Sequence, residues 1–278
     1  MMDTRWKLYQ GALLWSGNPT TETPTQEEAK EAVRESGAMF ARWTSDWDCG
    51  TPTEWYSCIR DHFTPIEQVS AKQRYRINKG LRNTCIELIC IQDIPHYIED
   101  IYNVAQLAFA DYPKQYRPII KKEDYEHWLS NFPNNQDLWI CKEIATGDVI
   151  GYTVCEYKYD FINLQQVKVP TIYLNTEANA AFIYCISQYY LQEKHVRYIT
   201  DGERNIKHQT QYQDYLMRIH GFRLAYSQLH IEYSPRMRIA VNLLYPLRGG
   251  VRILGKFNSF AYNVYCVLKM EQIRRSFK

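Results

Sequence analysis

The sequence predicts a mixed α/β fold, and three observations carry that reading. Apolar, β-branched runs such as Thr84 to Ile91 alternate with stretches whose apolar residues recur at helical spacing, as Ala178, Ala181, Phe182, Cys185 and Tyr189 do. A capping box, Thr25-Gln26-Glu27-Glu28, opens one helix with acids in its first turn. Asp137 to Ile144 and Val149 to Tyr157, joined by Ala145-Thr146-Gly147-Asp148, read as a β-hairpin.

In chain order, Lys7 to Trp15 reads as a strand and Gly17 to Pro24 as a loop. The helix from Thr25 ends near Gly37, which suits a left-handed C-cap. Ala38 to Trp43 is a strand, Asp48 to Thr53 a turn-rich loop, and Trp55 to Arg60 a short strand. Ser70 caps a basic helix running to about Gly80, with Ile77 and Leu81 directed at a core. After the strand at Thr84, Pro95 begins a helix to Phe109, and a second covers Lys121 to Leu129. Past the hairpin come a strand within Leu164 to Val169 and a helix capped by Asn175. Then follow a short strand at Arg197 to Thr200, a helix from His208 to Ile219 closed by Gly221, and one or two strands up to Tyr233. An Arg- and Gly-rich loop leads to a terminal helix from about Ala261.

The 278 residues suit one large domain or two subdomains. A net charge of +2 gives no global basic field, so any anion site must be local. No apolar run approaches the ~20 residues of a membrane span, and Leu8 to Trp15 is too short for a secretion signal, so a cytoplasmic protein is expected. The eight cysteines show no Cys-x-x-Cys pair and no zinc spacing; buried, reduced thiols and no metal are expected. The 23 tyrosines suit pocket walls and interfaces.

From Thr84 onward the predicted order β-α-α-β-β-β-α-β-α-β resembles the GNAT acyltransferase superfamily. The hairpin Leu138 to Glu143 with Val149 to Val154, and the helix ending His220-Gly221-Phe222-Arg223, carry the likeness in sequence over roughly residues 84 to 233. The first half, with Ala38 to Trp43 and the basic helix Ser70 to Gly80, resembles the Fem-type aminoacyltransferases, which consist of two GNAT-like halves and build peptidoglycan cross-bridges. The resemblance implies a GNAT-like mixed sheet over residues 84–234, a smaller degenerate GNAT-like subdomain at 1–83 and an extension at 235–278. Two departures stand out. Val167 to Asn179 has no glycine where acetyl-CoA enzymes turn tightly around a pyrophosphate, and Met217 stands where many have a tyrosine.

The candidate residues follow. Lys72, Arg76 and Lys79 at i, i+4, i+7 put three cations on one helix face, for a phosphate-bearing ligand or for solvent. Asp201, Glu203, Arg204 and His208 follow a short strand, where open α/β sheets bind ligands. Asp201 or Glu203 is placed to take a proton from an amine, and Arg204 or His208 to hold an anion; a turn with surface ion pairs is the alternative. Tyr212 is a candidate acid or a packing residue. Trp43, Asp46 and Trp47 offer rings and carboxylates for a sugar or amine, or else a capped turn.

These point to an acyl or aminoacyl transferase acting on an amine of a cell-wall or sugar-type precursor. The donor is aminoacyl-tRNA or acyl-CoA, and the acceptor a phosphate-bearing small molecule or a lipid-linked one. Alternatives are an acyl-CoA-dependent N-acyltransferase on a sugar or nucleotide-sugar amine, and a degenerate binding module without turnover. A tRNA acceptor end and a second copy of the chain stay open as partners.

Overall fold

A computed structural model describes residues 3–112, 117–207 and 211–277. In chain order the elements are β1 (Trp6–Tyr9), β2 (Ala12–Trp15), α1 (Gln26–Ser36), β3 (Phe40–Ser45), β4 (Tyr56–Arg60), α2 (Ala71–Asn83) and β5 (Thr84–Ile89). Then come α3 (Ile98–Ala110), α4 (Lys122–Ser130), β6 (Gln136–Glu143), β7 (Val149–Lys158), β8 (Phe161–Lys168), α5 (Ala178–Ser187) and β9 (Ile199–Glu203). The last are α6 (Tyr212–His220), β10 (Arg223–Tyr226), β11 (Gln228–Tyr233), α7 (Pro235–Leu244), α8 (Arg248–Leu254) and α9 (Ser259–Ser276). The chain divides into two compact units that are not continuous in sequence. The first comprises residues 1–58, 203–210 and 224–278, the second 59–202 and 211–223.

The first unit is built on a four-stranded sheet in the order β1-β2-β3-β11. β2 and β3 are parallel, with Leu13 opposite Ala41, and α1 makes the crossover between them. Thr25 caps α1 with the full box: its Oγ1 accepts from Glu28 N–H, and Glu28 reaches back to the Thr25 N–H. Gly37 ends the helix at φ 68°, which a residue without Cβ adopts freely. Ala29, Ala32 and Val33 pack on Trp6, Leu13, Ala41 and Trp43. Phe40, Leu229, Ile231 and Tyr233 form a second cluster with Val241, Leu268, Met270 and Ile273 of α7 and α9.

The second unit carries a mixed sheet in the order β9-β8-β7-β6-β5. β5 to β8 are antiparallel neighbours, while β8 and β9 are parallel. The hairpin pairs Leu138 with Val154 and Ile140 with Tyr152, and its turn closes through Gly147 N–H to the Glu143 carbonyl. Strand alternation sends Leu138 and Ile140 against Ile101, Val104, Tyr125 and Leu129 of α3 and α4. The intervening Trp139 donates its indole N–H to Tyr190 Oη at 3.1 Å.

Several local expectations are corrected. Residues 7–15 are a hairpin rather than one strand, because Gln10 and Gly11 both adopt positive φ and reverse the chain. Pro95 lies in a 3-10 turn, and α3 begins at Ile98. Asn175 lies in another 3-10 turn, and the cap of α5 is Glu177. The Arg- and Gly-rich loop is largely α7 and α8. The helix expected from His208 begins at Tyr212, and His208 itself lies outside the described residues. Cys49, Cys85 and Cys90 are exposed rather than buried, although all eight thiols are free. Among the described residues no helix is long and apolar enough to cross a membrane, and no three His, Cys, Asp or Glu side chains gather as metal ligands would.

Candidate functional site

The second unit's sheet opens at one place. The parallel ladder between β8 and β9 holds only Ile162 with Ile199 and Asn163 with Thr200. β8 nevertheless runs on to Lys168 and β9 to Glu203. Beyond the last pair the facing backbone edges of these strands are outside any ladder between them. The opening lies between the carboxyl-terminal halves of the two strands, at the end of the sheet where open α/β folds bind ligands. Asp201 is the first residue of β9 past the last pair. Gly202 follows at φ 87°, its N–H on Thr200 Oγ1 at 2.9 Å, which turns the backbone sharply there.

Burial pushes the Asp201 carboxyl up from 3.8 to about 6, and a hydrogen bond from Gln213 of α6 opposes this. A carboxylate near that value is a better proton acceptor at neutral pH than an ordinary aspartate. On α6, Tyr212 and Tyr215 stack at 6.0 Å, and Tyr215 meets His220 edge-on at 5.5 Å. His220 is 3% exposed and its Nδ1 has no partner among the described residues. Burial first, then the charges of Arg60 and Arg76, keep its pKa well below the ordinary value, so the ring is neutral at pH 7.

At the start of α5 three backbone N–H groups are already bonded within the turn. Glu177 caps it in the left-handed region at φ 59°. Thr176 Oγ1 accepts the Ala178 N–H, and the Glu177 carbonyl accepts those of Ala180 and Ala181. α2 lies directly on this turn: a Cβ on Gly80 would come within 2.4 Å of the Glu177 carbonyl oxygen and 2.8 Å of Ala181 Cβ. Glycine is required there because two backbones approach closely. The Glu177 carboxylate takes the Arg76 guanidinium at 2.8 Å, and that guanidinium lies 5.5 Å from the Tyr215 ring centre.

The predicted site residues divide between the units. Asp201, Tyr212, Lys72, Arg76 and Lys79 belong to the second. Of the three cations, Arg76 is committed to Glu177, Lys79 is half-buried and Lys72 is exposed. Ile77 is buried as expected, but Leu81 is 37% exposed, because Gly80 makes the close contact with α5. Glu203 and Arg204 belong to the first unit, and both are engaged. Glu203 pairs with Arg42 at 3.1 Å, and Arg204 Nη1 donates to the carbonyl of Glu54, whose carboxylate also takes Lys269 at 2.8 Å.

Trp43 is buried in the first unit and stacks on His230. Asp46 follows β3 at φ 49° and is exposed, and Trp47 is half-buried beside it. Sequence reading missed Glu177, His220 and His230. A single acid before an apolar helix and single histidines on apolar elements carry no pattern that marks them.

No family model and no curated protein matches the chain. Its fold is similar to that of the C-terminal (DUF2156) domain of a protein assigned as a lysylphosphatidylglycerol synthetase from Agrobacterium fabrum. The likeness has a TM-score of 0.54 at 12% identity, over 85% of this chain and 82% of that one. L-PGS from Bacillus licheniformis matches with a TM-score of 0.49 at 10% identity, over 86% and 83%. FemX matches with 0.49 at 8% identity, over 79% and 70%. At such identity the likeness is one of fold, and the fold is the GNAT-like mixed α/β architecture expected from the element order.

Proposed function

We propose that the protein is an acyl or aminoacyl transferase in which Asp201 serves an attacking amine at the opening between β8 and β9. The single observation that carries this is Asp201 itself. It stands just past the last paired residues of two parallel strands, with its carboxyl pushed up to about 6. The amine nitrogen attacks the donor's carbonyl carbon, the former ester oxygen leaves with the electron pair, and Asp201 accepts the nitrogen's proton. General-base help of this kind contributes ~10² to 10⁴ in rate.

The donor we favour is an activated aminoacyl ester of the aminoacyl-tRNA type rather than acyl-CoA. Support comes from the start of α5, where N–H groups are already bonded and α2 lies against the turn. The acceptor we favour is an amine on a cell-wall or sugar-type precursor, with Tyr212, the exposed Lys72 and the half-buried Lys79 within the same unit's substrate surface. Met217, which has no proton to give, favours a second reading in which the fold binds a ligand without turnover.

A transfer assay with labelled aminoacyl-tRNA and labelled acetyl-CoA, each over a panel of amine acceptors, separates these readings. Transfer from aminoacyl-tRNA that drops at least a hundredfold in Asp201→Asn is the expected result. Transfer from acetyl-CoA alone would overturn the donor. Binding of either donor with transfer no faster than in the absence of protein would establish the non-catalytic reading.

A further inference from the structure

The first unit holds a cavity of about 350 Å³ along β11. β11 is the edge strand of the four-stranded sheet, so the cavity borders a strand with no neighbour on that side within the sheet. Its size falls within the range of small-molecule sites, and its lining is more polar than apolar, with Trp43, Leu229, Ile231 and Phe277 supplying the apolar part.

Cross-strand register assembles the first of those groups. Trp43 of β3 lies opposite His230 of β11, so their side chains share a face, and the rings stack at 5.2 Å with 16° between planes. Ser45, two residues further along β3, shares that face, and its Oγ lies 2.7 Å from His230 Nε2. Burial first, with the Arg274 charge adding to it and Asp46 opposing, holds the His230 pKa below its ordinary value. The ring is thus neutral at pH 7, a hydrogen-bonding group without charge.

The second group is Arg274, near the end of α9. Its Nε and Nη2 both bond the Glu271 carboxylate at 2.8 Å. Glu271 is buried and also takes Arg275 at 2.6 Å and the Tyr233 hydroxyl at 3.1 Å. Two guanidinium groups around one carboxylate leave one positive charge. Arg274 is oriented by a buried carboxylate that Arg275 and Tyr233 also hold, while its Nη1 has no partner among the described residues. Such a preset donor costs little to order when a ligand arrives. Phe277 closes the apolar side.

We propose that this cavity binds a small organic carboxylate with an apolar body. Arg274 Nη1 takes the carboxylate, Phe277 and the Trp43–His230 ring pair take the body, and Ser45 offers a hydroxyl to a polar atom between them. The excess positive charge of the Arg274–Glu271–Arg275 cluster matches a single carboxylate, while Asp46, which accepts from Ser45 Oγ at 3.4 Å, disfavours further negative charge near Ser45. The site is built from residues of the first unit and uses neither Asp201 nor the transfer chemistry, so it does not rest on that reading.

Calorimetric titration of the full chain with N-acetyl-L-leucine, N-acetyl-L-phenylalanine and hexanoate, each beside its neutral amide, tests the proposal. At least one carboxylate is expected to bind saturably, one per chain, with its amide at least tenfold weaker. Arg274→Gln should weaken the carboxylate at least tenfold and Arg274→Lys less. Phe277→Ala, which leaves the Glu271 ion pairs intact, should weaken acid and amide alike, and circular dichroism and melting check that each variant folds. No saturable binding of any carboxylate, equal affinity for acid and amide, or affinity unchanged in Phe277→Ala and in whichever Arg274 variant folds would overturn it.

Discussion

Arg76 donates its Nε–H to Glu177 at 2.8 Å, joining α2 to the cap of α5 across 101 residues of chain. Glu177 holds a left-handed conformation that costs a residue with a Cβ roughly 1 kcal/mol or more. The ion pair and the close approach of α2 offset that cost. Arg76→Ala removes the partner of a carboxylate that is only 17% exposed. We expect it to lower stability by about 1 kcal/mol in urea unfolding at low salt, discounted for the partial exposure of the pair. The difference from wild type should shrink in high salt. A loss that does not respond to salt would show that Arg76 acts through packing on Tyr215 instead.

The contact between α2 and α5 makes Gly80 the most constrained glycine of a helix interior here. Gly80→Ala places a methyl within 2.4 Å of a backbone carbonyl. We expect a net loss of roughly 1 to 3 kcal/mol from forced separation, despite alanine's better helix propensity. Gly249 and Gly250 in α8 have open space where a Cβ would go. Alanine at either should raise stability by roughly 0.5 to 1 kcal/mol. Chemical denaturation of the three variants measures the opposite signs side by side.

Asp201 ties stability to pH in a direction opposite to that of an ion-paired aspartate. Its folded pKa, about 6, is above the unfolded value of 3.8, so the fold favours the protonated form. That contribution is full below about pH 4 and is lost as pH rises through about 6. Asp201→Asn should therefore stabilise the protein by roughly 1 to 3 kcal/mol at pH 7.5, with the gain vanishing near pH 4. If Asp201 is the base, transfer should fall as pH drops through about 6, and Asp201→Asn should be both more stable and far slower. A variant more stable and fully active would remove Asp201 from the chemistry.

Acetyl-CoA should bind poorly. At the helix start that would hold its pyrophosphate, the N–H groups of Ala178, Ala180 and Ala181 are bonded internally and α2 lies against the turn. We expect no saturable heat in calorimetry at sub-millimolar acetyl-CoA. Tight, specific binding would reverse the donor preference.

Features set by neighbouring residues were legible in the sequence. The capping box at Thr25, the left-handed closures at Gly37 and Gly221, and the hairpin around Gly147 depend on contacts within a few residues, and they form where expected. The element order was legible too, since strand and helix periods are local. Where the local reading slipped, a short-range alternative won: paired positive φ at Gln10 and Gly11 turned one strand into two, and a 3-10 turn displaced the helix start from Pro95.

The sequence by itself therefore determined the α/β class, the order of elements and a short strand near Asp201, although that strand is Ile199–Glu203 and contains Asp201 rather than ending before it. Tertiary structure alone decided which charges are committed and which groups meet. Arg76 to Glu177, Arg42 to Glu203, Arg204 to Glu54 and Trp43 to His230 all join residues more than a hundred positions apart. A charged side chain reads the same along the chain whether it faces solvent or a partner. Its availability for a ligand is settled only when the fold brings the partner within a few ångströms, where desolvation and pairing outweigh sequence pattern.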